Sequence, residues 1–472
     1  MRNAVTRRHF LVAVGAVASA GILRQPIIDL DRVFAAPLPP VVRRDIGGLS
    51  ATDPIISSYR TAIANMKALP ATNPLSWTYQ AAIHGTTATS LQTAWATCQH
   101  GSNFFWSWHR MYLYWFERIV RNMSNDPSWA LPYWNYTSPT QRQLPSMFRD
   151  PTSELYTSNR NPAMNNGTGS LSNSAVQYST GFAFVSFTSA RSSLEGTPHA
   201  TVHGGVGGGM SNFAGAGLDP IFWLHHCNID RLWNLWLAQG GGRSSPLDDT
   251  NWRTRQFTFF DENGNQVRMA GCDVLRAAEQ LKYAYEGEPA QVNQYCLVEL
   301  SPELLEAIRR ILLRIRFPLP PFVLGPRPVS FAIDLRPFRA QIARIIESRM
   351  QTLLLQLDGV ESDRQPGIAW EVYVGLPTGV VPNSDSVHYV GNVALFGTGV
   401  RSEATHRQFT PAQFSFDIER AILAALRSNR LSVQVTFVPR GILINGRPSQ
   451  PRVASPVRIG GASLVVEEQR RR

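Results

Sequence analysis

Seven of the ten histidines in this chain lie between residues 84 and 226, where their types and spacing could hold metal ions. Neutral imidazole is a ligand for copper, zinc, iron and nickel. On a helix, His199 and His203 would project from one face and could share an ion. The adjacent pair His225 and His226 would point about 100° apart on a helix, so only one of them should reach that ion.

The spacing leaves two groups of three. A Gly-Ser-Asn stretch separates the loop expected to carry His100 from the helix expected to carry His109. Three imidazoles per ion, with no carboxylate to bridge two hard ions, is unlike a two-metal hydrolase and favours copper. The two groups are His84, His100 and His109, and then His199, His203 and one of His225 and His226.

Helices must position the histidine side chains. The aromatic residues around His100 and His109 would pack between these helices. Asp230 and Arg231 are expected to form a buried ion pair on one of these helices. Five segments have the expected periodicity or terminal residues: 54–69, 74–84, 107–123, 196–205 and 219–239.

The pattern changes after the proline-rich stretch "PLPPFVLGPRP". "TLLLQLDGV", "AWEVYVGLP", "HYVGNVALFGTG" and "LSVQVTFVP" predict strands of a sandwich or barrel, interrupted by helices at 336–350 and 415–428. The predicted fold is mainly α, a four-helix core with long loops followed by a smaller β-rich, sandwich-like domain. The predicted parts are an export signal with spacer (1–36), a helical domain (37–315), a linker (316–330) and a β-rich domain (331–472).

The N-terminal stretch "TRRHFLVAVGAVASAG" has the three-part layout of a signal peptide and resembles a bacterial twin-arginine export signal. Cleavage after Ala20 or near 33–37, or retention as an anchor, are the alternatives; the apolar run is too short for a stable membrane span. Export to the periplasm or beyond permits a disulfide, and Cys272 with Cys296 is the expected pair. The net charge of +11 comes from scattered arginines, which argues against nucleic-acid binding.

From about 54 to 300 the chain resembles the coupled dinuclear copper proteins: tyrosinases, catechol oxidases and molluscan-type haemocyanins. "AIHG" and "CQHGSNFFWSWHRMYLYWFE" followed by "ALPYWNY" are similar to the first copper motif, and "EGTPHATVH" followed by "DPIFWLHHCNIDRLW" to the second. The resemblance implies two copper ions, O₂ as co-substrate, and oxidation of o-diphenols to o-quinones. It assigns the ligands as His84, His100 and His109 for one ion and His199, His203 and His226 for the other.

The resemblance also implies roles for residues near the metals. Cys98 would form a thioether with His100, the alternative being a buried thiol. Phe213 resembles a gate residue over the second copper, the alternative being an aromatic plug in a loop. Glu195 matches an acidic residue that holds a water near the second copper, the alternative being stabilisation of a helix N-terminus. His225 and the loop around Phe213 would shape the substrate's approach.

Two departures concern activity. Monophenol-hydroxylating members often have an Asn after the first ligand of the second copper; Ala200 stands there, and Gly204 follows the next ligand. This favours o-diphenol oxidation, with monophenol hydroxylation weak at most.

The β-rich part resembles the C-terminal domain of plant-type polyphenol oxidases, which implies latency until it is cleaved or displaced, with Phe396 a candidate to fill the substrate position. A role only in folding or copper loading is the alternative.

Two other classes of function stay open. A haemocyanin-like oxygen carrier would use the same site without turnover, and a zinc hydrolase is disfavoured by the missing carboxylates. The expected partners are a phenolic small molecule and O₂. The sequence leaves open whether a separate chaperone delivers the copper and where an activating protease would cut.

Overall fold

The first part of the chain is mainly helical in the computed structural model, which describes residues 41–288, 313–317, 321–338, 351–403, 409–428 and 432–468, with residues 294, 296, 342 and 430. The expected export signal (1–36) and most of the helix expected at 336–350 lie outside these residues. Within them the helices are α1 Pro54–Ala68, α2 Trp77–His84, α3 Phe104–Ser124, α4 Pro162–Asn165, α5 Ser179–Ala183, α6 Phe187–Leu194, α7 Thr201–Val206, α8 Pro220–Ala238, α9 Thr250–Thr254, α10 Ala277–Gln280 and α11 Glu419–Arg427.

Side-chain caps determine where the main helices begin. The carboxylate of Asp53 accepts a hydrogen bond from Ile55 N at the start of α1. Ser76 Oγ accepts from Tyr79 N at 3.1 Å, so α2 begins at Trp77 rather than at the expected Pro74. At its other end α2 stops at His84, because Gly85 is its C-cap and has an extended backbone.

Aromatic stacking joins α3 to α8. The rings of Phe116 and Trp223 stack with their centroids 3.4 Å apart, and Trp106 stacks on Trp233 at 5.8 Å. All four side chains are fully buried. This packing holds the two longest helices of the histidine-bearing region side by side, in accord with the aromatic content of that stretch.

The strands of the described residues lie mostly in the C-terminal part. Two antiparallel sheets dominate it, with strand orders β11-β10-β13-β8 and β12-β9-β17-β6. Leu355, Val372, Phe437 and Leu464 from both sheets form a second hydrophobic core. The predicted helical core followed by a β-rich part is therefore confirmed. The strands are β1 Val41–Arg43, β2 Gly169–Ser170, β3 Phe257–Phe260, β4 Gln266–Met269, β5 Tyr283–Tyr285, β6 Leu313–Phe317, β7 Phe322–Leu324, β8 Val329–Asp334, β9 Gln351–Val360, β10 Ala369–Val374, β11 Tyr389–Val393, β12 Ala412–Asp417, β13 Ser432–Arg440, β14 Leu443–Ile444, β15 Arg447–Pro448, β16 Val457–Ile459 and β17 Gly461–Glu468.

Strands occupy part of the expected linker at 316–330, and its role as a linker stays a prediction. The end of β6 lies in this range and pairs with β17, and β7 pairs with β16. Pro321, Pro326 and Pro328 fall between these strands, where their missing N–H removes no hydrogen bond from a ladder. The β-rich part therefore begins before residue 331. The helix expected at 415–428 begins only at Glu419, because the residues before it belong to β12.

The β-rich part packs against the helical part through backbone and side-chain contacts. β14 pairs with β2, and Asn392 Nδ2 donates to Ser174 O at 2.8 Å. Phe396, in the loop after β11, belongs to the hydrophobic core of the helical part. This loop brings a C-terminal side chain to the histidines.

Two other features bear on the sequence-based expectations. Cys272 and Cys296 form the expected disulfide, with their Cα atoms 5.7 Å apart. None of the helices in the described ranges is both long and apolar enough to cross a membrane.

Candidate dinuclear metal centre

Six predicted ligands and two neighbours lie in two buried clusters. The ligand atoms of each cluster all lie within 4.8 Å of one another. The clusters adjoin, since the rings of His109 and His226 stack with their centroids 4.2 Å apart. The first cluster contains His84, Cys98, His100 and His109, and the second contains His199, His203, His225 and His226.

Four different helices and two irregular segments supply these side chains. In the first cluster, His84 ends α2 and His109 lies in the second turn of α3, while His100 lies in the loop between these helices. In the second, His199 lies in a wide turn before α7 and His203 on α7 itself. The adjacent pair follows in α8.

Backbone carbonyls orient four of the imidazoles through their Nδ1 atoms. The acceptors are Phe213 O for His84, Phe105 O for His109, Glu195 O for His199 and Met210 O for His203, at 2.7–3.1 Å. An imidazole that donates from Nδ1 keeps the lone pair of Nε2 for a metal. The Nε2 atom of His199 is buried and has no hydrogen-bond partner among the described residues.

Burial keeps five of these imidazoles neutral. Removal from water lowers their pKa values well below the ordinary value, and neighbouring imidazoles lower them further. A neutral imidazole is the form that binds a metal. The residues concerned are His109, His199, His203, His225 and His226.

The adjacent histidines of α8 have different surroundings. His226 Nε2 faces His203 Nε2 at 3.2 Å, and two such lone pairs would repel unless a cation or a proton lay between them. His225 Nδ1 instead lies 3.0 Å from the hydroxyl of Tyr136. Burial raises the pKa of Tyr136, so this hydroxyl keeps its proton. Sequence reasoning missed Tyr136, since nothing in "ALPYWNY" indicates that it meets α8.

Cys98 lies within the first cluster. Its Sγ atom is 3.3 Å from His109 Nε2, and the side chain is buried. The sulfur therefore lies next to His109 among the imidazoles of the first cluster, and the thioether with His100 stays a prediction.

Phe213 lies beside the first cluster, whereas the sequence led us to expect it over the second. Its ring centroid is 4.8 Å from that of His84 and 5.9 Å from that of His100. A Cβ at Gly85 would lie 2.6 Å from Phe213 O, so the glycine after His84 permits this approach. The long loop from 207 to 219 folds back onto α2 and brings the ring there, and a gate role over the second copper stays a prediction.

Glu195 also differs from expectation, since its side chain turns to the first cluster. Its Oε1 accepts from Gly101 N at 2.7 Å and lies 3.2 Å from His100 Nδ1. Arg191 Nη1 donates to its Oε2 at 2.6 Å. Its backbone carbonyl accepts a hydrogen bond from Nδ1 of His199, in the second cluster. The i, i+4 spacing of Arg191 and Glu195 on a helical segment could have revealed this pair from the sequence.

A C-terminal side chain covers the histidines. The ring of Phe396 stacks on His203 with the centroids 3.7 Å apart and the planes 10° apart. It also lies 5.5–6.1 Å from the rings of His84, His100 and His199. A cavity of about 530 Å³, lined in part by Phe396 and Glu195, lies where the β-rich part meets the helical part.

The fold and the clusters together define a protein with two adjacent, buried, histidine-rich metal sites. Imidazole-only ligands in a dry aromatic pocket suit copper better than the hard ions that prefer oxygen. The family profile for the common central domain of tyrosinase matches residues 74–186 and 149–239. The profile for the polyphenol oxidase middle domain matches 246–294, and a domain of unknown function matches 332–450.

Curated relatives and solved structures agree with these matches. A tyrosinase from Hahella sp. is 37% identical over 288 residues, which cover 49% of this chain and 61% of the relative. The latent form of polyphenol oxidase from Prunus armeniaca is 31% identical over 312 residues, 55% of this chain and 51% of the relative. The matched regions thus span between about half and two thirds of these relatives.

The match to the structure of latent apple tyrosinase covers 92% of this chain and 98% of the apple chain, with a TM-score of 0.63 at 24% identity. Recombinant latent aurone synthase covers 95% of this chain and 91% of its own, with a TM-score of 0.65 at 20% identity. These likenesses establish the fold. Over residues 74–294 the chain is thus similar to the tyrosinases and polyphenol oxidases, and its two histidine clusters fit a pair of copper ions as the cofactor.

Proposed function

We propose that this protein is an exported dicopper polyphenol oxidase that uses O₂ to oxidise o-diphenols to o-quinones and stays latent until its C-terminal part is cleaved or displaced. The observation that carries the proposal is the pair of adjacent histidine clusters, four of whose imidazoles are oriented by backbone carbonyls. The relatives named as tyrosinases and polyphenol oxidases support the same activity.

The proposed ligands are three imidazoles for each ion. In the second site His226 is the ligand rather than His225, because donation by the Tyr136 hydroxyl to His225 Nδ1 would place that ring's proton on Nε2. The full set is His84, His100 and His109 for one copper and His199, His203 and His226 for the other. Copper supplies the electron transfer between the phenol and O₂ when it is bound.

The chain supplies orientation and exclusion of water. His225 stacks on His199 with the planes 20° apart and forms part of the pocket wall. Phe213 closes the side next to His84, where its position suits a gate for the aromatic substrate. Glu195 acts through His100 and Gly101, and ordering of a water by this carboxylate belongs to the same proposal.

A preference for o-diphenols is proposed from the residues after the second-site ligands. Ala200 and Gly204 offer no side-chain amide to polarise a water beside the metal. Deprotonation of a monophenol would therefore lack help from these positions, whereas a catechol is already the easier substrate to oxidise.

Latency is proposed from Phe396, which lies parallel to His203 as a bound aromatic ring would. We further propose the Cys98–His100 thioether, a C–S bond that forms as the thiol and the imidazole ring each lose a hydrogen to O₂, the two-electron oxidant; intact-mass measurement would detect the loss of two hydrogen atoms. Twin-arginine export, an activating protease and a copper chaperone complete the proposal.

The test is O₂ uptake by the copper-loaded full chain on 4-methylcatechol, with and without the substitution Phe396→Ala. We expect low uptake by the parent chain and a clear rise in the variant, because the substitution opens the face of His203. His203→Ala is the matched negative control. If two coppers bind and neither chain consumes O₂, the oxidase proposal fails and the oxygen-carrier function takes its place.

A further inference from the structure

Glu195 connects the two metal clusters, and its carboxylate has neighbours on both oxygens. Oε1 accepts from Gly101 N and lies near His100 Nδ1, while Oε2 accepts from Arg191. Its backbone carbonyl accepts from His199 Nδ1 at 3.0 Å. One residue thus contacts a histidine of each cluster.

Arg191 is the cation that neutralises this carboxylate. The Arg191 and Glu195 side chains are each 7% exposed, and they lie one helical turn apart where α6 meets the wide turn before α7. A buried carboxylate needs a partner to remain an anion. The pair does more than brace a helix, because the other oxygen of Glu195 reaches the loop that carries His100.

We propose that Arg191 is a positioning residue for the first copper site: it holds the Glu195 carboxylate in place, and that carboxylate orients His100 through Nδ1 and its loop through Gly101 N. This inference rests on the dicopper site and not on the oxidase activity. It assigns the ion pair to one of the two metal sites.

The physical reason lies in how His100 differs from the other proposed ligands. Four of them donate from Nδ1 to a backbone carbonyl, which the fold itself fixes. His100 lies in a loop and faces a side-chain carboxylate instead. A carboxylate partner at Nδ1 orients the ring and strengthens Nε2 as a donor, and losing such a partner costs about 10- to 100-fold in metal affinity.

The test measures copper retained per chain during titration with a chelator, site by site. Arg191→Met is placed in a His203→Ala background, where the first site is intact, and in a His84→Ala background, where the second is intact. We expect retention to weaken about 10- to 100-fold in the first background and to stay unchanged in the second. Arg191→Lys, which keeps the charge, should recover part of the loss.

Arg276→Met is the matched control, since it removes an ion pair with Glu279 that lies in α10 and its flank. It should leave copper retention unchanged in both backgrounds. If Arg191→Met does not fold, Glu195→Gln replaces it, with the same expectation because the amide keeps the shape and loses the charge.

Equal loss from both sites, or no loss from either, would overturn the inference. The readout is copper retention and not activity. If the chain fails to oxidise catechol but shows the site-specific loss of copper, the result contradicts the proposed function and supports this inference.

Discussion

Gly397 is the residue that lets the C-terminal loop approach the first metal cluster. Its φ is +69°, and a Cβ there would lie 2.6 Å from His100 Cγ. Gly397→Ala should therefore displace the loop rather than His100, because His100 Nδ1 lies 3.2 Å from Glu195 Oε1 and the next residue, Gly101, donates to the same oxygen. We call the form in which Phe396 covers the histidines the closed form, and the form in which it has moved away the open form. A penalty of about 1–2 kcal/mol on the closed form would raise the population of the open form roughly 5- to 30-fold, and basal O₂ uptake on a catechol would rise with it.

Gly379→Ala separates steric displacement from backbone strain. Its φ is +81°, but a Cβ there would meet nothing within 4 Å. This variant should lose a little stability and keep the parent's basal uptake. Equal uptake by the two alanine variants would contradict the assignment of Gly397 to loop seating.

Residue types predicted the clusters well, and residue orientations poorly. All six proposed ligands fall into two groups, as their order in the chain led us to expect. The sequence did not indicate that Phe213 and the Glu195 side chain lie beside the first cluster, because each position depends on how a loop or a wide turn folds back; their roles at the second copper stay predictions. Spacing along one helix constrains direction, but spacing across a loop does not.

At the scale of elements, a buried carboxylate joins the helices that carry the histidines. Asp230 of α8 accepts from Arg110 of α3 at 2.5 Å and from Arg43 of β1 at 3.2 Å. The hydroxyls of Tyr283 and Tyr285 donate to the same carboxylate. Asp230→Asn would remove the carboxylate that pairs with the buried guanidinium of Arg110 and would leave the buried guanidinium of Arg43 paired with Glu117. We expect it to lower the free energy of unfolding of the copper-free chain by about 3–5 kcal/mol, measured with denaturant.

The pH dependence of this effect has a definite sign. Burial alone would raise the pKa of Asp230, but Arg110, Arg43 and the two hydroxyls outweigh it, so the pKa is lowered. Its stabilisation is therefore complete above the unfolded pKa near 4 and is lost as pH falls through the lower folded value. Asp230→Asn should flatten acid unfolding below about pH 4. Glu154→Gln, at an exposed pair with Lys67, is the control that should change neither measurement.

Elements with strong periodicity were predicted, but their partners were not. The helices at 54–68, 104–124 and 220–238 and the strands at 351–360, 369–374 and 432–440 all occur close to where the pattern placed them. The expected pair of Asp230 with Arg231 is wrong, because adjacent residues of a helix diverge and Arg231 meets Glu288 instead. Contacts between segments that are distant in the sequence produce no local periodicity, so the sequence pattern does not predict them.

At the scale of the molecule, the sequence indicated two parts but not how they meet. The change from helical to alternating pattern located the β-rich part, whereas pairing of β14 with β2 and the insertion of Phe396 depend on tertiary packing. Most described hydrogen bonds across this interface join neutral groups, such as Ser192 with Gln413 O and Asn445 N with Thr168 O. We therefore expect added salt to have little effect on the equilibrium between the closed and open forms.

Asn392 offers a direct test of this neutral interface. Its Nδ2 donates to Ser174 O at 2.8 Å and lies 3.3 Å from Thr197 Oγ1, next to the second metal cluster. Asn392→Ala should weaken closure by about 1–2 kcal/mol and raise basal O₂ uptake roughly 5- to 30-fold. Raising NaCl from about 0.05 to 0.5 M should have a much smaller effect on the parent chain, because screening acts on charges and not on amide-to-carbonyl hydrogen bonds.

Asn122→Ala is the control, since it removes a side-chain hydrogen bond to Glu262 O within the helical part. It should leave basal uptake at the parent's level. Activation by salt that matches or exceeds activation by Asn392→Ala would mean that charge pairs hold the C-terminal part closed. In that case Asp385, whose carboxylate interacts with the Arg142 guanidinium across this interface, would be the residue to replace rather than Asn392.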